Sequence, residues 1–453
     1  MKLYSISFSV YSIVSIFTLM IYGALPAILA RNGVSPQEIG LLYLTMIPFM
    51  LSFFYSGIIE GWRKKHAKNF KILCLLLGII STCGFIALGV FASPQDIGLM
   101  CAVFMAMCLL GACGIISLNA IAIEQTSADK KVSLNSIMLL ASGVGGIAGI
   151  ILALMVYERF GFGIACFIMA FFVTLLCVPF ISMSADGQYG NLQGDSTHST
   201  HFVHSKNSIL QTLKTPRLWG WLGFFCLCML PITLSNTTST MLLVYIGFSL
   251  DVVGIVSGVI NCVAMFVGSP LAYFLIRAFG FRPAFIGLLV FCVGVFCSLV
   301  ANMWLWQNHA LILLGLACVG VYMCALCVFM YSLGMRLCET SKQSGVDFSF
   351  LRSAENACFV IGGVVASQIL GIFIAKDTIE ALSKGEGHSH EINLLGGDSS
   401  VSGFSEVVAD LSDVLARGGI EVSVANGYGT LFCMSLAFAL LTLGIIALNK
   451  KIA

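Results

Sequence analysis

Near its N-terminus the chain reads SISFSVYSIVSIFTLMIYGALPAILA (residues 5–30), a run that contains no charged side chain. A helix needs about 20 apolar residues to cross a hydrocarbon core about 30 Å thick, so this run is long enough to span a bilayer. The whole chain has the same character, because 58% of its 453 residues are hydrophobic and only 10% are charged. Its mean hydropathy is +0.99. Such a composition excludes a soluble enzyme, a disordered protein and a nucleic-acid-binding protein, while the net charge of +2 indicates no partner.

Eleven further apolar runs follow the first, each separated from the next by a short polar segment. We predict an all-α membrane protein with twelve transmembrane helices, near residues 5–30, 39–60, 71–92, 97–123, 133–157, 161–182, 218–246, 252–276, 283–304, 309–335, 348–375 and 427–449. The first run exceeds the apolar core of a signal peptide, so it is expected to remain as a helix.

Basic residues predict the orientation. Seventeen of the 23 Lys and Arg fall on one side of the membrane if the helices alternate in direction, and this side holds both termini. Cytoplasmic loops carry the excess of Lys and Arg, so both termini are expected in the cytoplasm. The predicted domains are an N-terminal six-helix bundle (1–182), a cytoplasmic linker (183–217) and a C-terminal six-helix bundle (218–453). The second bundle carries an acidic extracytoplasmic loop (376–426), in which Val407, Leu411, Val414 and Leu415 share one face of a possible helix.

The two halves of the chain resemble each other in sequence at a constant offset. The fifth run contains GVGGIAG (143–149), and the eleventh contains IGGVVA (361–366), so that Gly145 corresponds to Gly362. Glycines of this kind let facing helices approach closely. Two parallel six-helix repeats are the plan of the major facilitator fold, so the repeat predicts two pseudo-symmetric bundles.

Polar residues inside the apolar runs predict a substrate cavity. The first run has a series of hydroxyl-bearing residues at spacings of three and four, and the seventh, its counterpart in the repeat, is polar at seven of the eight positions 233–240. Polar side chains at this depth face either a cavity or another helix, with which they form hydrogen bonds, and both interpretations remain open. The candidate cavity residues are Ser12, Ser15, Thr18, Tyr22, Asn119, Asn236, Thr237, Thr240, Asn261 and Tyr322.

Few ionisable residues lie in or next to the apolar runs, and these are candidates for gating and ion coupling. They are Glu60, Glu124, Asp347, Arg352 and Glu355, together with the neighbouring Asn356. A carboxylate beside cations can hold a gate closed until a proton neutralises it. Simpler interpretations are a mutually neutralising pair of Arg352 and Glu355, and a helix cap at Asp347.

The sequence predicts no cofactor or metal site. Seventeen of the 18 cysteines lie in apolar runs, and Cys338 follows three residues after the tenth run; they are expected to act as small packing residues. The histidines at 198, 201 and 204 and at 388 and 390 lack the four-ligand spacing of a structural zinc site.

Several short motifs resemble a known family. GALPAIL (23–29), GVS (33–35), YERFG (157–161) and above all GVDF (345–348) are similar to segments of the rhizobactin/pyochelin-type siderophore permeases of the major facilitator superfamily, which are related to muropeptide permeases and acetyl-coenzyme A transporters. The chain departs from that group in three places: Glu60-Gly61 stands where the family usually has Asp-Arg, the second copy of that motif lacks its acid at Ile276, and the loop 376–426 is longer.

The resemblance implies an importer of a metal–siderophore complex, or of a similar small metabolite, in the bacterial inner membrane. The residues themselves predict a secondary active transporter working by alternating access, with protons as the expected coupling ion. The chain has no nucleotide-binding loop and no cluster of catalytic groups, so we do not expect an enzyme or a nucleic-acid partner. The alternatives are a drug or siderophore exporter of the same fold and a muropeptide permease.

Overall fold

The protein is described by a computed structural model that covers residues 2–66, 68–94, 96–125, 137–138, 140–182, 216–338, 344–374, 409, 411–412, 414–415 and 420–448. Ten helices within these residues are long and apolar enough to cross a membrane, and Pro36–Met50 with Ser52–Arg63 forms an eleventh, bent span. One of the ten, Leu140–Ile181, has 42 residues, about 63 Å of helix and therefore about twice the thickness of the hydrocarbon core. Gly161 divides it with a φ of 83°, a conformation that glycine adopts without steric cost. With Leu140–Ile181 divided at Gly161, the described residues provide twelve helices whose length and composition suit a membrane crossing, which is the number that the sequence predicts.

We number the membrane helices in chain order. They are α1 (Lys2–Leu19, Met20–Ala24 and Leu25–Arg31), α2 (Pro36–Gly40, Leu41–Met46, Ile47–Met50 and Ser52–Lys65), α3 (Lys68–Phe91), α4 (Ile97–Gln125), α5 (140–160), α6 (162–181), α7 (Pro216–Asn236 and Ser239–Tyr245), α8 (Leu250–Val263, Ala264–Gly268 and Ser269–Phe279), α9 (Phe281–Ala301 and Asn302–Trp306), α10 (His309–Cys338), α11 (Ser344–Phe373) and α12 (Val422–Leu448).

An even number of crossings places both ends of the chain on one face of the bundle, here called the near face. The opposite, far face carries the α1–α2 turn at 32–35 and the α7–α8 turn at 246–249. Residues 183–215 and 375–408 lie outside the described residues. The first range contains almost all of the predicted linker, and the second contains most of the predicted outer loop. The last helix begins at Val422, five residues before the predicted start.

Helices α1–α6 and α7–α12 form two bundles. Within the bundles, α3 packs against α6, α7 against α11 and α9 against α12. The main contacts between the bundles are made by α2 with α11, by α5 with α8, and by the far ends of α1 and α7. The all-helical fold of two six-helix bundles is the one that the sequence predicts.

The glycine repeat explains how the bundles are built. A Cβ atom added at Gly145 of α5 would lie 2.6 Å from the carbonyl oxygen of Ser12 in α1. Gly362, its counterpart in α11, would place a Cβ atom 2.5 Å from the Thr233 hydroxyl in α7. Each glycine therefore allows the same close helix contact in its own bundle, which is the packing role expected of small residues in membranes.

Part of the predicted outer-loop helix is described, and it packs on the C-terminal bundle. Val414 is 3% exposed and its carbonyl oxygen lies 2.7 Å from Nδ1 of the buried His309, at the start of α10. Leu411 and Leu415 pack against the core beside it. The apolar face of this segment therefore covers the far end of α10; Val407 lies outside the described residues.

Candidate substrate and coupling site

Among the carboxylates whose side chains are described, Glu355 lies farthest from the end of its helix, and its side chain is partly buried. It lies in the fourth turn of α11, about 16 Å along the helix axis from the near end. The Tyr331 hydroxyl of α10 donates a hydrogen bond to its Oε2 atom, and the Cys327 thiol lies 3.9 Å from Oε1. An ionised side chain inside the membrane costs several kcal/mol of free energy unless it is paired. The hydrogen bonds from these two donors lower that cost for the Glu355 carboxylate.

An aromatic cluster joins the two bundles next to this acid. Tyr22 of α1 lies against Phe359 of α11, one turn after Glu355, with ring centroids 5.2 Å apart. Tyr22 also stacks on Tyr43 of α2, with ring centroids 6.0 Å apart. The carboxylate therefore lies at the boundary between the bundles, where α1, α2, α10 and α11 meet.

The α2–α11 contact continues along both helices. Asn356, next to Glu355, donates a hydrogen bond of 3.4 Å from Nδ2 to the carbonyl oxygen of Phe49 in α2. Toward the far face, a Cβ atom at Gly363 would lie 2.5 Å from the Tyr43 ring. Toward the near face, Phe53 and Phe350 pack with centroids 5.0 Å apart. A shift of α11 therefore acts directly on the opposite bundle.

The polar run in α7 breaks the helix at residues 237–238, where the chain forms a turn. Most of its hydroxyls bond to carbonyl oxygens of their own helix; Thr237 Oγ1, for example, donates to Thr233 at 2.6 Å. Two buried tyrosines donate to the carbonyl oxygens at the break: Tyr43 to Thr237 at 2.5 Å and Tyr428 to Thr238 at 3.0 Å. Six of the eight residues of the run are therefore buried against protein, Asn236 and Ser239 are partly exposed, and the carbonyl oxygens at the break accept hydrogen bonds from both bundles.

The predicted cavity residues of α1 separate into two groups. Ser12 is fully buried and donates to the carbonyl oxygen of Ala141 at 3.1 Å, and Ser15 lies against Gly145, so both face α5. Thr18 and Tyr22 are partly exposed, and Thr18 bonds to the Val14 carbonyl oxygen of its own helix. A helix turns about 100° per residue, so steps of three residues fall about 60° short of a full turn and rotate the series away from a single face.

The remaining cavity candidates lie at several places. Asn119 of α4 accepts a hydrogen bond from the Tyr11 hydroxyl at 2.8 Å, and Asn236 lies 3.6 Å from the Met323 sulfur. Asn261 donates to the carbonyl oxygen of Ser257, in its own helix. Buried positions are occupied by Thr237, Thr240 and Tyr322.

The gating candidates are brought together only in part. Glu355 and Asn356 share the central site described above. Asp347 falls in the first turn of α11, which begins at Ser344, and Arg352 lies one turn before Glu355. The side chains of Glu60, Glu124, Asp347 and Arg352 lie outside the described part of the structure. Among the residues that are described, no cluster of three or more His, Cys, Asp and Glu side chains could hold a metal ion.

An ion pair that the sequence motifs do not predict lies at the far face. Arg159 Nη2, at the end of α5, lies 3.6 Å from Oδ2 of Asp251, at the start of α8. The arginine side chain is 49% exposed and the aspartate side chain 16%. The pair joins the two bundles where Leu154 of α5 also packs against Gly254 of α8. The topology predicted from the sequence already places both residues on the far face, and this shared location is the feature from which the pair could have been predicted.

Comparison with known proteins agrees with this architecture. The model of the Major Facilitator Superfamily matches residues 7–373, and the chain therefore belongs to that family. It is a multi-pass membrane transporter of the secondary type, in a family of transporters rather than enzymes.

Solved transporters share the fold at low sequence identity. A bacterial homolog of the human lysosomal transporter Spinster, in an inward-facing and unoccupied conformation, has a TM-score of 0.66 at 14% identity, with 98% of this chain and 97% of that chain covered. The nucleoside transporter NupG has a TM-score of 0.62 at 12% identity over 91% and 98%. Tetrameric PepTSo2 has a TM-score of 0.61 at 12% identity, with 99% of this chain and 100% of that chain covered.

Proposed function

We propose that this protein is a proton-coupled importer of a small metabolite, in a bacterial inner membrane with both termini in the cytoplasm. The observation that carries the proposal is the position of Glu355, a carboxylate near the middle of α11 at the boundary between the bundles. The predominance of Lys and Arg in the near-face loops supports the orientation.

Glu355 offers a physical route for coupling. When ionised, it accepts hydrogen bonds from Tyr331 and Cys327 of α10. When protonated, it loses its charge and one carboxyl oxygen becomes a donor, so the bonds to α10 must rearrange. Since the next residue of α11, Asn356, bonds to α2, such a rearrangement reaches the other bundle. Protonation and the rocking of the bundles are then linked through α11.

The contacts between the bundles fit a conformation that is closed at the far face. The far ends of α1 and α7 pack together, Tyr43 bonds across the boundary, and Arg159 pairs with Asp251. In the proposed cycle these contacts break when substrate enters from the far face and form again after it is bound. Thr18, Tyr22, Asn119, Asn236 and Asn356 are our candidates for contacting the substrate, because they are partly exposed at the middle of the bundles.

A metal–siderophore complex is our first candidate substrate, and its support is the resemblance of segments such as GVDF (345–348) to siderophore permeases. The test uses purified full-length protein in liposomes with a proton gradient. We expect a radio-iron-labelled ferric siderophore to accumulate, and a protonophore to abolish the accumulation. Net movement in the opposite direction would favour an exporter.

A thermal-shift screen of ferric siderophores, free siderophores and muropeptides identifies the substrate independently of transport. A ligand that binds only the folded state raises the melting temperature with its concentration. Stabilisation by a muropeptide and not by any ferric siderophore would reject the siderophore assignment. Binding without flux in either direction would reject the transport proposal.

A further inference from the structure

An apolar groove lies on the side of the N-terminal bundle, between α5 and α6. Its volume is about 440 Å³, and it has no polar lining. Ile16 of α1 forms its floor at 1% exposure. Its walls include Val144 and Ile147 on α5 and Leu175 on α6, which are 41%, 46% and 57% exposed. The groove therefore opens outward at membrane depth, away from the central site.

The surroundings of the groove determine what can fill it. A space without polar partners does not hold ordered water, and apolar molecules bind in such spaces. The segments that line it cross the bilayer, so the medium at its mouth is hydrocarbon. Its volume corresponds to on the order of a dozen methylene groups, if each is about as large as a water molecule at about 30 Å³. An acyl chain fits this size and chemistry, because its methylene groups would make dispersion contacts with the apolar lining.

The backbone of α5 is distorted where it forms the groove. Residues Ile147–Leu152 form a π-helical turn, and Ile147, Ile151 and Leu152 of this turn line the space. Ile151 also packs against α8, since a Cβ atom added at Gly258 would clash with its Cδ1 atom. One wall of the groove is therefore also part of the contact between the bundles, and π-turns often mark functional positions.

We propose that this groove binds one acyl chain of a bilayer phospholipid, which packs against the α5 segment that contacts α8. The site is separate from the substrate site around Glu355, and its occupation does not depend on transport.

The test uses full-length protein in phosphatidylcholine liposomes with a trace of phosphatidylcholine that carries a diazirine on one acyl chain. After irradiation, mass spectrometry maps the crosslinked residues. We expect crosslinks to concentrate in 144–155 and 172–176, several-fold above other segments that face the bilayer. Even labelling of all bilayer-facing segments would overturn the proposal.

The repeat supplies a matched control. Val144→Trp places a large ring at the groove, whereas Ile361→Trp introduces the same ring at the equivalent position of the second repeat, where Ile361 is 51% exposed. We expect Val144→Trp to reduce labelling of the groove at least about fivefold and Ile361→Trp to leave it unchanged.

Leu175→Trp, on the opposite wall, repeats the test in case the first variant folds poorly, and size-exclusion chromatography checks each protein. Unchanged labelling in folded variants of both walls would overturn the proposal. Displacement of the label by the substrate would also overturn it, since the groove would then belong to the substrate site.

Discussion

Removing the Tyr43 hydroxyl should loosen the far face of the transporter. Tyr43→Phe keeps the buried ring but deletes the 2.5 Å hydrogen bond from α2 to the Thr237 carbonyl oxygen of α7. A buried hydrogen bond of this kind contributes about 1 kcal/mol. Since the bond joins the bundles and must break when the far face opens, its loss should shift the conformational equilibrium about fivefold toward the open state.

The natural control is Tyr428, which donates to the neighbouring carbonyl oxygen of Thr238 at 3.0 Å. It is 1% exposed, so Tyr428→Phe removes an equally buried bond, but from within the C-terminal bundle. Both variants should lower the melting temperature by similar amounts. Only Tyr43→Phe should change the balance between the two conformations.

Hydrogen–deuterium exchange of the purified protein in nanodiscs measures this difference. Tyr43→Phe should speed exchange in peptides from the far ends of both α1 and α7. Tyr428→Phe should speed it only in α7 and α12. Equal exchange in the two variants at the far end of α1 would refute the assignment of the Tyr43 bond as a contact that holds the far face closed.

Two further predictions concern contacts seen in the structure. Arg159→Gln and Asp251→Asn should each speed hydrogen–deuterium exchange at the far face slightly, and the effect of the double variant should be smaller than the sum of the two. The coupling energy should be below about 1 kcal/mol and should fall at high salt, because the arginine side chain is 49% exposed. Fully additive effects would contradict a direct ion pair. Gly145→Val should reduce the free energy of unfolding by about 1–3 kcal/mol and therefore lower the melting temperature strongly. The reason is that even the Cβ atom of the valine would lie 2.5 Å from the Cβ atom of Ser15. Gly444→Val should leave the melting temperature nearly unchanged, because a Cβ atom at this position has no neighbour within 4 Å. Equal shifts of the melting temperature in Gly145→Val and Gly444→Val would exclude the close α1–α5 packing.

The sequence predicts the membrane spans well because each span is a local property of composition. The twelve apolar runs correspond to the twelve helices. The internal repeat corresponds to the matching packing roles of Gly145 and Gly362. Irregular backbone is harder to predict. In α2, for example, the 3₁₀ segment Leu41–Met46 precedes Pro48, which cannot donate a hydrogen bond to the helix, and the span bends at Leu51.

The candidate site is predicted less completely, because its contacts join residues far apart in sequence. Glu355 stands out as an acid inside an apolar run, but its partner Tyr331 belongs to another helix. Tyr43 and Thr237 are 194 residues apart. The serines of α1 show a further reason: a polar residue in a membrane helix can face a cavity or a neighbouring backbone, and only the structure shows that Ser12 bonds to the backbone of α5.

The central claim, that Glu355 couples protons to transport, is tested most directly by Glu355→Gln. Glu421 lies at the far face just before α12, and Glu421→Gln makes the same substitution away from the central site, so it is the matched control. In liposomes, with the ligand that stabilises the protein most in the thermal-shift screen, we expect Glu355→Gln to abolish accumulation driven by a proton gradient. It should retain exchange of substrate across the membrane without a gradient, because a permanently neutral side chain still permits substrate binding. Glu421→Gln should keep both activities. Gradient-driven accumulation by Glu355→Gln at the level of the unmodified protein would contradict the account.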